Sequence, residues 1–561
     1  MLTMSAHIDT FCRDNLPPAE HWPEFVTDLP ALRYPDRLNC AVELLDRTIE
    51  RFGPDHPCLI DADRTWTYGE VLDLVDRIAR VLVEELAIVT GNRVLLRGPN
   101  TAWLVACWLA VVKAGAVVVT TMPLLRAVEL TKLVSLTKPA AALCDHRFRD
   151  EIDTVAADFK LPVVSFGAAG PGDLGARAAQ YPGGFAAVDT AADDVVLLAP
   201  TSGTTGAPKA TMHFHRDVLA IADTFSAHVV APRRDDIFVG TPPIAFTFGL
   251  GGLVIFPMRV GASTVLVEKP TQADLAEAIH KNSATVLFTA PTAYRALLRD
   301  ELTDRLSSLR RCVSAGEHLP VSVSAAFFEA TGLRIIDGIG GTELLHVFIS
   351  AAESDIRPGS TGKEVPGFRA EIQDASGNPV PDGTPGALAV KGPTGCRYLA
   401  DARQRSYVRN GWNMTGDTYT RDSDGHFWYH GRSDDMIVSS GYNIGAPEVE
   451  SVLDGHPDVA ECAVVGLPDP ERGTIVHAAI VLRPGVRGDA AKIAEIQTFA
   501  KRAAAPYKYP RGITFVDALP RTDSGKLQRF KVRQLLLGDT VTAMRSAHTE
   551  TDQPLRVPGR K

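Results

Sequence analysis

Thr201-Ser-Gly-Thr-Thr-Gly-Ala-Pro-Lys209 directly follows the apolar run 195–199. A buried strand that opens into a turn rich in Gly, Thr and Ser, closed by one lysine, has the chemistry to wrap phosphate. Glycines admit a close backbone approach, hydroxyls and amide N–H groups donate hydrogen bonds, and the ammonium supplies positive charge. No Gly-Lys-Ser/Thr occurs anywhere in the chain, so this is not a Walker A loop. Taken alone, such a cluster is also what an ordinary flexible loop looks like. Its weight comes from company further along: Asp337-Gly-Ile-Gly-Gly-Thr-Glu343 after a strand-like run at 333–336, then Asn410-Gly-Trp-Asn-Met-Thr-Gly-Asp417, Gly431-Arg-Ser-Asp-Asp-Met-Ile437, and Pro520-Arg-Thr-Asp-Ser-Gly-Lys526.

At these five ordered motifs the chain resembles the acyl-adenylate-forming superfamily of acyl-CoA ligases, peptide-synthetase adenylation domains and luciferases. The resemblance runs from about residue 66 to about residue 533, nearly the whole chain. It implies ATP, Mg²⁺ and coenzyme A as cofactors. Activating a carboxylate requires its oxygen to attack a phosphorus carrying several negative charges, so the site must neutralise charge and align the attack. Thr201, Ser202, Gly203, Thr204, Thr205, Gly206 and Lys209 would grip the β- and γ-phosphates. Thr342 would hold the α-phosphate and Glu343 the Mg²⁺, since a hard cation bridging phosphate oxygens needs few protein carboxylates. Ser314-Ala-Gly-Glu317, through Gly316 and Glu317, resembles the segment lying against adenine. Asp417 would accept hydrogen bonds from the ribose hydroxyls, with Arg432 assisting.

Lys526 would catalyse the first step from a mobile carboxy-terminal domain, its compact charge entering and leaving with that domain. Asp434 aligns with the family's hinge. In the second step the segment 436–444, read as a strand, would face the adenylate, and Gly441 would leave room for the pantetheine arm. The thiol then attacks the mixed anhydride and AMP leaves; no general base for the thiol is evident. Outside these motifs the same residue types have plain roles: an exposed glutamate, a turn-forming aspartate, a solvated lysine.

The acid is addressed by Pro243-Ile-Ala-Phe-Thr-Phe-Gly-Leu-Gly-Gly252, which stands where family members build the acyl-pocket wall. Phe246, Thr247 and Phe248 would line it, opposite Ile339, Gly340 and Leu344-Leu-His-Val-Phe348. Residues 337–348 resemble the benzoate-CoA ligase branch, which has a histidine at the position of His346. Aromatic walls with few polar handles suit a flat aryl carboxylate. His346 would orient the ring or an ortho substituent, or else be a packed core histidine. Phe-Thr-Phe-Gly-Leu-Gly-Gly together with Asn15-Leu-Pro-Pro18 most resembles 2-aminobenzoate (anthranilate)-CoA ligases. Benzoate ligases more often carry a tyrosine where Phe248 stands. Benzoate or a hydroxybenzoate is the alternative acid, and one or two contacts shift such preferences by only about 1–3 kcal/mol. Competing functions are a carrier-loading adenylation enzyme, a luciferase-like oxygenase and a nucleotide-binding regulator without catalysis. The phosphate loop departs from the family in ending Lys209-Ala210 rather than Lys-Gly, which is tolerable where φ is negative.

These residues need a scaffold, and the patterning supplies one. Thr67-Tyr-Gly-Glu70 has capping-box form, followed at helical spacing by Val71, Leu74, Val75, Ile78, Leu82 and Leu86. Strands at 94–96, 116–120, 140–144, 263–267 and 285–289 alternate with helices at 103–112, 126–137, 272–281 and from 291. That alternation predicts βαβ units and an α/β fold with a largely parallel sheet, ligands sitting at the carboxyl ends of strands. The loops at Thr201 and Asp337 are expected to follow strands. From about residue 359 Gly and Pro rise and short β pieces predict a small β-rich subdomain to 433. Residues 434–561 read as a separate α+β domain (helices 447–453 and 490–504, strands 459–465 and 476–482), after an N-terminal domain of 1–433.

At 561 residues two or more domains are expected. A net charge of −9 argues against a nucleic-acid partner. Eight scattered cysteines without a Cys-x-x-Cys pair read as reduced thiols. No secretory signal is evident, and the apolar stretch 102–112 is too short to span a membrane. A cytoplasmic enzyme, monomer or homodimer, with no membrane partner is the expectation, and the last twenty or so residues are expected to fray.

Overall fold

The computed structural model describes residues 2–201, 208–268, 270–317, 319–432, 436–520, 529 and 531–538, with only the backbone of Arg432. The chain divides into two compact units, one ending at residue 434 and the other running on from 435. Of the expected site residues, Ser202, Gly203, Thr204, Thr205, Gly206, Asp434 and Lys526 lie outside the described residues, as does the tail expected to fray.

The first unit is an α/β structure built on two large sheets. One has six strands in the order Val163–Phe166, Ala141–Asp145, Arg93–Arg97, Val117–Thr121, Val195–Thr201, Lys209–Phe214. All neighbours are parallel except the last pair, which is antiparallel. The other has nine strands; its parallel centre runs Ile335–Gly340, Arg311–Ser314, Val286–Thr289, Ile237–Gly240, Ser263–Val265, Pro57–Ile60. Near-continuous Val, Ile and Leu in these strands reflects burial on both faces. A smaller antiparallel sheet follows, from Arg369–Gln373 through Gly386–Lys391 and Trp412–Arg421 to Val408–Arg409, with Phe427–Arg432 paired to Trp412–Arg421.

Local chemistry starts the helices where expected. The Glu70 N–H donates to Thr67 Oγ1 at 3.2 Å and the Thr67 N–H donates to Glu70 Oε2 at 2.8 Å, closing the capping box of the helix Tyr68–Arg80. That helix then widens into a π-turn at Val81–Glu85. The apolar helix Ala102–Lys113 is a core helix, with every residue but Trp103 buried. Its buried Lys113 lies 2.7 Å from both Asp46 and Asp76, as a desolvated ammonium requires. Among the described residues no helix is long and apolar enough to cross a membrane. None of the eight cysteines is in a disulfide.

Two expectations change. The Asp337 motif does not begin in a loop: the strand runs Ile335–Gly340, so Asp337, Ile339 and Gly340 are strand residues, and the chain leaves the sheet only at the short 3-10 turn Thr342–Leu344. Pairing with Val347–Ser350 on the far side carries the strand through Gly338 to Gly340. The second unit corrects the other. Residues 436–444 are not one strand but an antiparallel hairpin, Met436–Ser439 with Tyr442–Gly445. Ser440 and Gly441 turn it with φ of +49° and +79°, a left-handed pair typical of two-residue hairpin turns. The rest of that unit packs the helices Ala446–Leu453 and Ala490–Ala503 on a sheet of Val459–Asp469, Gly473–Leu482 and Gly512–Phe515.

Candidate active site

The described part of the phosphate motif is its two ends. Thr201 closes one strand and Lys209 opens the next, paired across the hairpin, and Ala210 pairs with Pro200 inside it. Ala210 is a buried strand residue, outside the positive-φ set, so the departure from Lys-Gly carries no backbone strain. Among the described residues Thr201 Oγ1 is buried without a hydrogen-bond partner.

Lys209 meets Glu343, which arrives from the other large sheet: Lys209 Nζ lies 3.0 Å from Glu343 Oε1. Tyr398 joins them. Its hydroxyl donates to Glu343 Oε1 at 2.5 Å and accepts from Lys209 Nζ, while the ammonium sits 4.4 Å from the centre of its ring. Burial pushes the Glu343 carboxyl up, but Lys209 and the Tyr398 hydroxyl overcome this and hold it below the usual glutamate range. Desolvation and the neighbouring Glu343 charge raise the Tyr398 phenol, so it stays a neutral donor.

Thr342 is fixed through its backbone: His213 Nε2 lies 2.8 Å from the Thr342 carbonyl. His213 belongs to the strand that starts with Lys209, so this one strand touches both Thr342 and Glu343. Behind it Asp217 pairs with Arg397. The Asp217 carboxyl is pushed up by burial and pulled lower overall by Arg397 and His213.

The adenine-segment residues lie at the end of a neighbouring strand. Gly316 turns with φ +90°, and Thr292 Oγ1 donates to Glu317 Oε2 at 2.5 Å. Ser314 pairs in register with Asp337. Among the described residues Asp337 Oδ1 is buried without a partner, and burial raises the carboxyl to about 7. Asp417 is a buried residue of the small sheet, facing the Arg432 backbone in register, and its N–H donates to Thr415 Oγ1 at 3.2 Å.

The expected acyl wall is an aromatic cage. His346 is buried, its ring centroid 5.5 Å from Phe248, 5.3 Å from Phe225 and 4.7 Å from Phe256. Phe288 lies 5.5 Å from Phe248 and 6.0 Å from Phe256. Among the described residues neither His346 nitrogen has a hydrogen bond of ordinary geometry. Desolvation lowers the imidazole to about 3, a Phe248 backbone group opposing this only weakly, so the ring is neutral at physiological pH. Phe246 and Thr247 stand at the start of the short helix Thr247–Leu250. Ile339 packs against the main core, and Gly340 abuts the His346 carbonyl, which an added Cβ would approach to 2.7 Å.

Sequence reasoning missed Tyr398 and the phenylalanines 225, 256 and 288, which lie outside every motif. It also missed why the Phe-Thr-Phe-Gly-Leu-Gly-Gly run needs its glycines. A Cβ on Gly251 would stand 2.4 Å from the His346 ring and one on Gly252 2.5 Å from the Phe288 ring. The signal was present as glycines on a helical segment, which mark a close approach.

The pattern described as AMP-binding enzyme matches residues 45–398, and that described as AMP-binding enzyme C-terminal domain matches 448–526. A benzoate–CoA ligase of Thauera aromatica is 33% identical over 514 residues, 90% of this chain and 97% of that protein. The crystal structure of the anthranilate CoA ligase AuaEII in complex with anthranoyl-AMP is 33% identical, with a TM-score of 0.71 over 91% of this chain and 100% of that one. The amide bond synthetase McbA from Marinactinospora thermotolerans is 28% identical, with a TM-score of 0.80 over 89% of this chain and 99% of that one.

Proposed function

The chain belongs to the family of AMP-binding enzymes, and from that premise we propose that it is an ATP-dependent, AMP-forming aryl-CoA ligase whose preferred acid is 2-aminobenzoate. The carboxylate oxygen of the acid attacks the α-phosphorus of ATP and pyrophosphate leaves. The thiol of CoA then attacks the carbonyl of the aryl-adenylate, the C–S bond forms, the C–O bond to AMP breaks, and the thiol proton goes to solvent.

The observation that carries the aryl reading is His346, a neutral imidazole inside a phenylalanine cage that makes no hydrogen bond of ordinary geometry among the described residues. A flat ring fits among such faces, and an ortho amino or hydroxyl group gives the imidazole a hydrogen-bond partner. The likeness to AuaEII favours the amino group. Benzoate and hydroxybenzoates are the nearest competitors, in line with the Thauera relative.

Thr201, Lys209 and Thr342, with Ser202 to Gly206 between the first two, are proposed to bind the phosphates, Gly316 and Glu317 to flank adenine, and Asp417 with Arg432 to hold the ribose. Glu343 fits a magnesium ion: it is a single ionised carboxylate beside a phosphate-binding lysine, and Mg²⁺ bound to a nucleotide takes one or two carboxylates and keeps phosphate oxygens and water for the rest. Bound there, the ion would neutralise phosphate charge. Lys526 is proposed to stabilise the first transition state, Asp434 to act as hinge between residues 1–433 and 434–561, and Gly441 to leave passage for pantetheine. The φ of +79° is a second and sufficient reason for that glycine.

A second reading, transfer of the aroyl group from the adenylate to an amine with release of AMP, is favoured by the likeness to McbA. One assay tests both. Thioester formation is measured with ATP and CoA across benzoate, 2-aminobenzoate, salicylate, 4-hydroxybenzoate, phenylacetate and octanoate, then with amines replacing CoA. Preference for 2-aminobenzoate with CoA is expected. Aryl-adenylate formed but passed only to amines, or activity confined to octanoate, overturns the reading.

A further inference from the structure

Tyr398 is fixed by backbone and ring contacts besides those to Lys209 and Glu343. The Leu399 N–H donates to the Ala210 carbonyl at 2.9 Å and the Met212 N–H to the Arg397 carbonyl at 2.7 Å, so residues 397–399 are strapped to the strand that Lys209 opens. The Tyr398 N–H donates to Gln404 Oε1 at 2.9 Å, and Tyr407 packs edge-on with ring centroids 5.7 Å apart. Glu343, by contrast, sits on a three-residue 3-10 turn of the other sheet. The Tyr398 hydroxyl is therefore a fixed point, and Glu343 Oε1 is fastened to it.

The structure assigns to Tyr398 the positioning of Glu343 for the divalent cation that accompanies ATP, an assignment that rests on the metal role proposed for Glu343. With Oε1 committed to the hydroxyl, Oε2 is the oxygen left for the cation. It faces Gly341, where an added Cβ would stand 3.6 Å away. Lys209 also holds Oε1, but phosphate recruits that same ammonium. When Lys209 turns to phosphate, the neutral phenol keeps the carboxylate aimed. Partners of this kind behind a metal ligand typically change metal affinity by about 10–100-fold.

The test is equilibrium ATP binding as a function of Mg²⁺ for wild type, Tyr398→Phe and Glu343→Gln. Phenylalanine keeps the ring, the packing and the backbone straps. Tyr398→Phe is expected to raise the half-saturating Mg²⁺ concentration about tenfold, with a smaller change in metal-free ATP affinity. In ATP–pyrophosphate exchange, KM for MgATP rises and KM for the aryl acid does not. In a Glu343→Gln background, Tyr398→Phe adds nothing. An unshifted magnesium dependence in Tyr398→Phe, or an equal loss of metal-free ATP binding, overturns the role of the tyrosine. If Glu343→Gln itself leaves the magnesium dependence intact, the metal role of Glu343 falls, and the tyrosine's with it.

Discussion

Arg397 and Asp217 form an ion pair whose side chains are both wholly excluded from solvent. The guanidinium lies 3.9 Å from the Phe214 ring and its Nε donates to the Met212 carbonyl at 3.2 Å. The pair stands directly behind the site: Arg397 precedes Tyr398, and Asp217 lies 3.8 Å from His213, whose other nitrogen holds the Thr342 carbonyl.

Removing one partner strands the other charge. Arg397→Met should destabilise the first unit by about 3–5 kcal/mol, read as a lowered midpoint in denaturant. Arg397→Met combined with Asp217→Leu should recover part of that loss. An Arg397→Met protein as stable as wild type would show that the pair contributes nothing net.

The specificity role proposed for His346 comes with a predicted acid sensitivity. Its folded pKa of about 3 lies below the ordinary 6.5, so the unfolded chain binds the extra proton. Its effect on stability is absent above pH 6.5 and grows as pH falls toward 3. At pH 5 that is about 2 kcal/mol, from 1.4 kcal/mol per pH unit. His346→Phe should therefore flatten the acid limb of the stability curve. It should also reduce discrimination between 2-aminobenzoate and benzoate by about 10–200-fold, the ratio in wild type staying constant between pH 6 and 8.

Gly251→Ala drives a methyl group into the His346 ring, 2.4 Å from its nearest carbon, with no flexible chain to give way. The expected result is a KM for aryl acids raised at least about tenfold, since small misplacements at a reacting centre cost rates of that order, with KM for ATP unchanged. Equal losses for both substrates would point to a folding defect instead.

Asp337 predicts the opposite pH limb from His346. Burial holds its carboxyl protonated up to about 7, whereas the unfolded chain ionises near 3.8. Stability is then fullest below 3.8 and declines as pH rises from 4 to 7. Asp337→Asn should remove that decline, checked by denaturant midpoints from pH 4 to 8.

Lys526 is proposed to serve only adenylation. Lys526→Ala should lower aryl-adenylate formation at least about 10²-fold, the scale of losing a transition-state charge contact. Synthetic aryl-adenylate supplied with CoA should still be converted within tenfold of wild type. A parallel collapse of both half-reactions would remove the division of labour.

Much of this protein is legible in its residues one segment at a time. The capping box at Thr67 and Glu70, the all-apolar helix Ala102–Lys113 and the strand before Thr201 depend on local spacing, and local spacing survives into the fold. The lysine that closes the Gly/Thr loop and the glutamate after Gly-Gly-Thr are brought within 3.0 Å of each other. Misreadings came where a strand continues through glycines, at Asp337 to Gly340, and where a two-residue turn hides in an apolar run, at Ser440 and Gly441. What only the tertiary structure decided is contact between distant segments. Tyr398 is 55 residues from Glu343 and 189 from Lys209, yet its hydroxyl joins them. Phe225, Phe256 and Phe288 reach His346 and Phe248 from separate elements. No periodicity encodes such meetings, because they are set by how two sheets and their helices pack, and close packing fixes each side chain only after the whole core has formed.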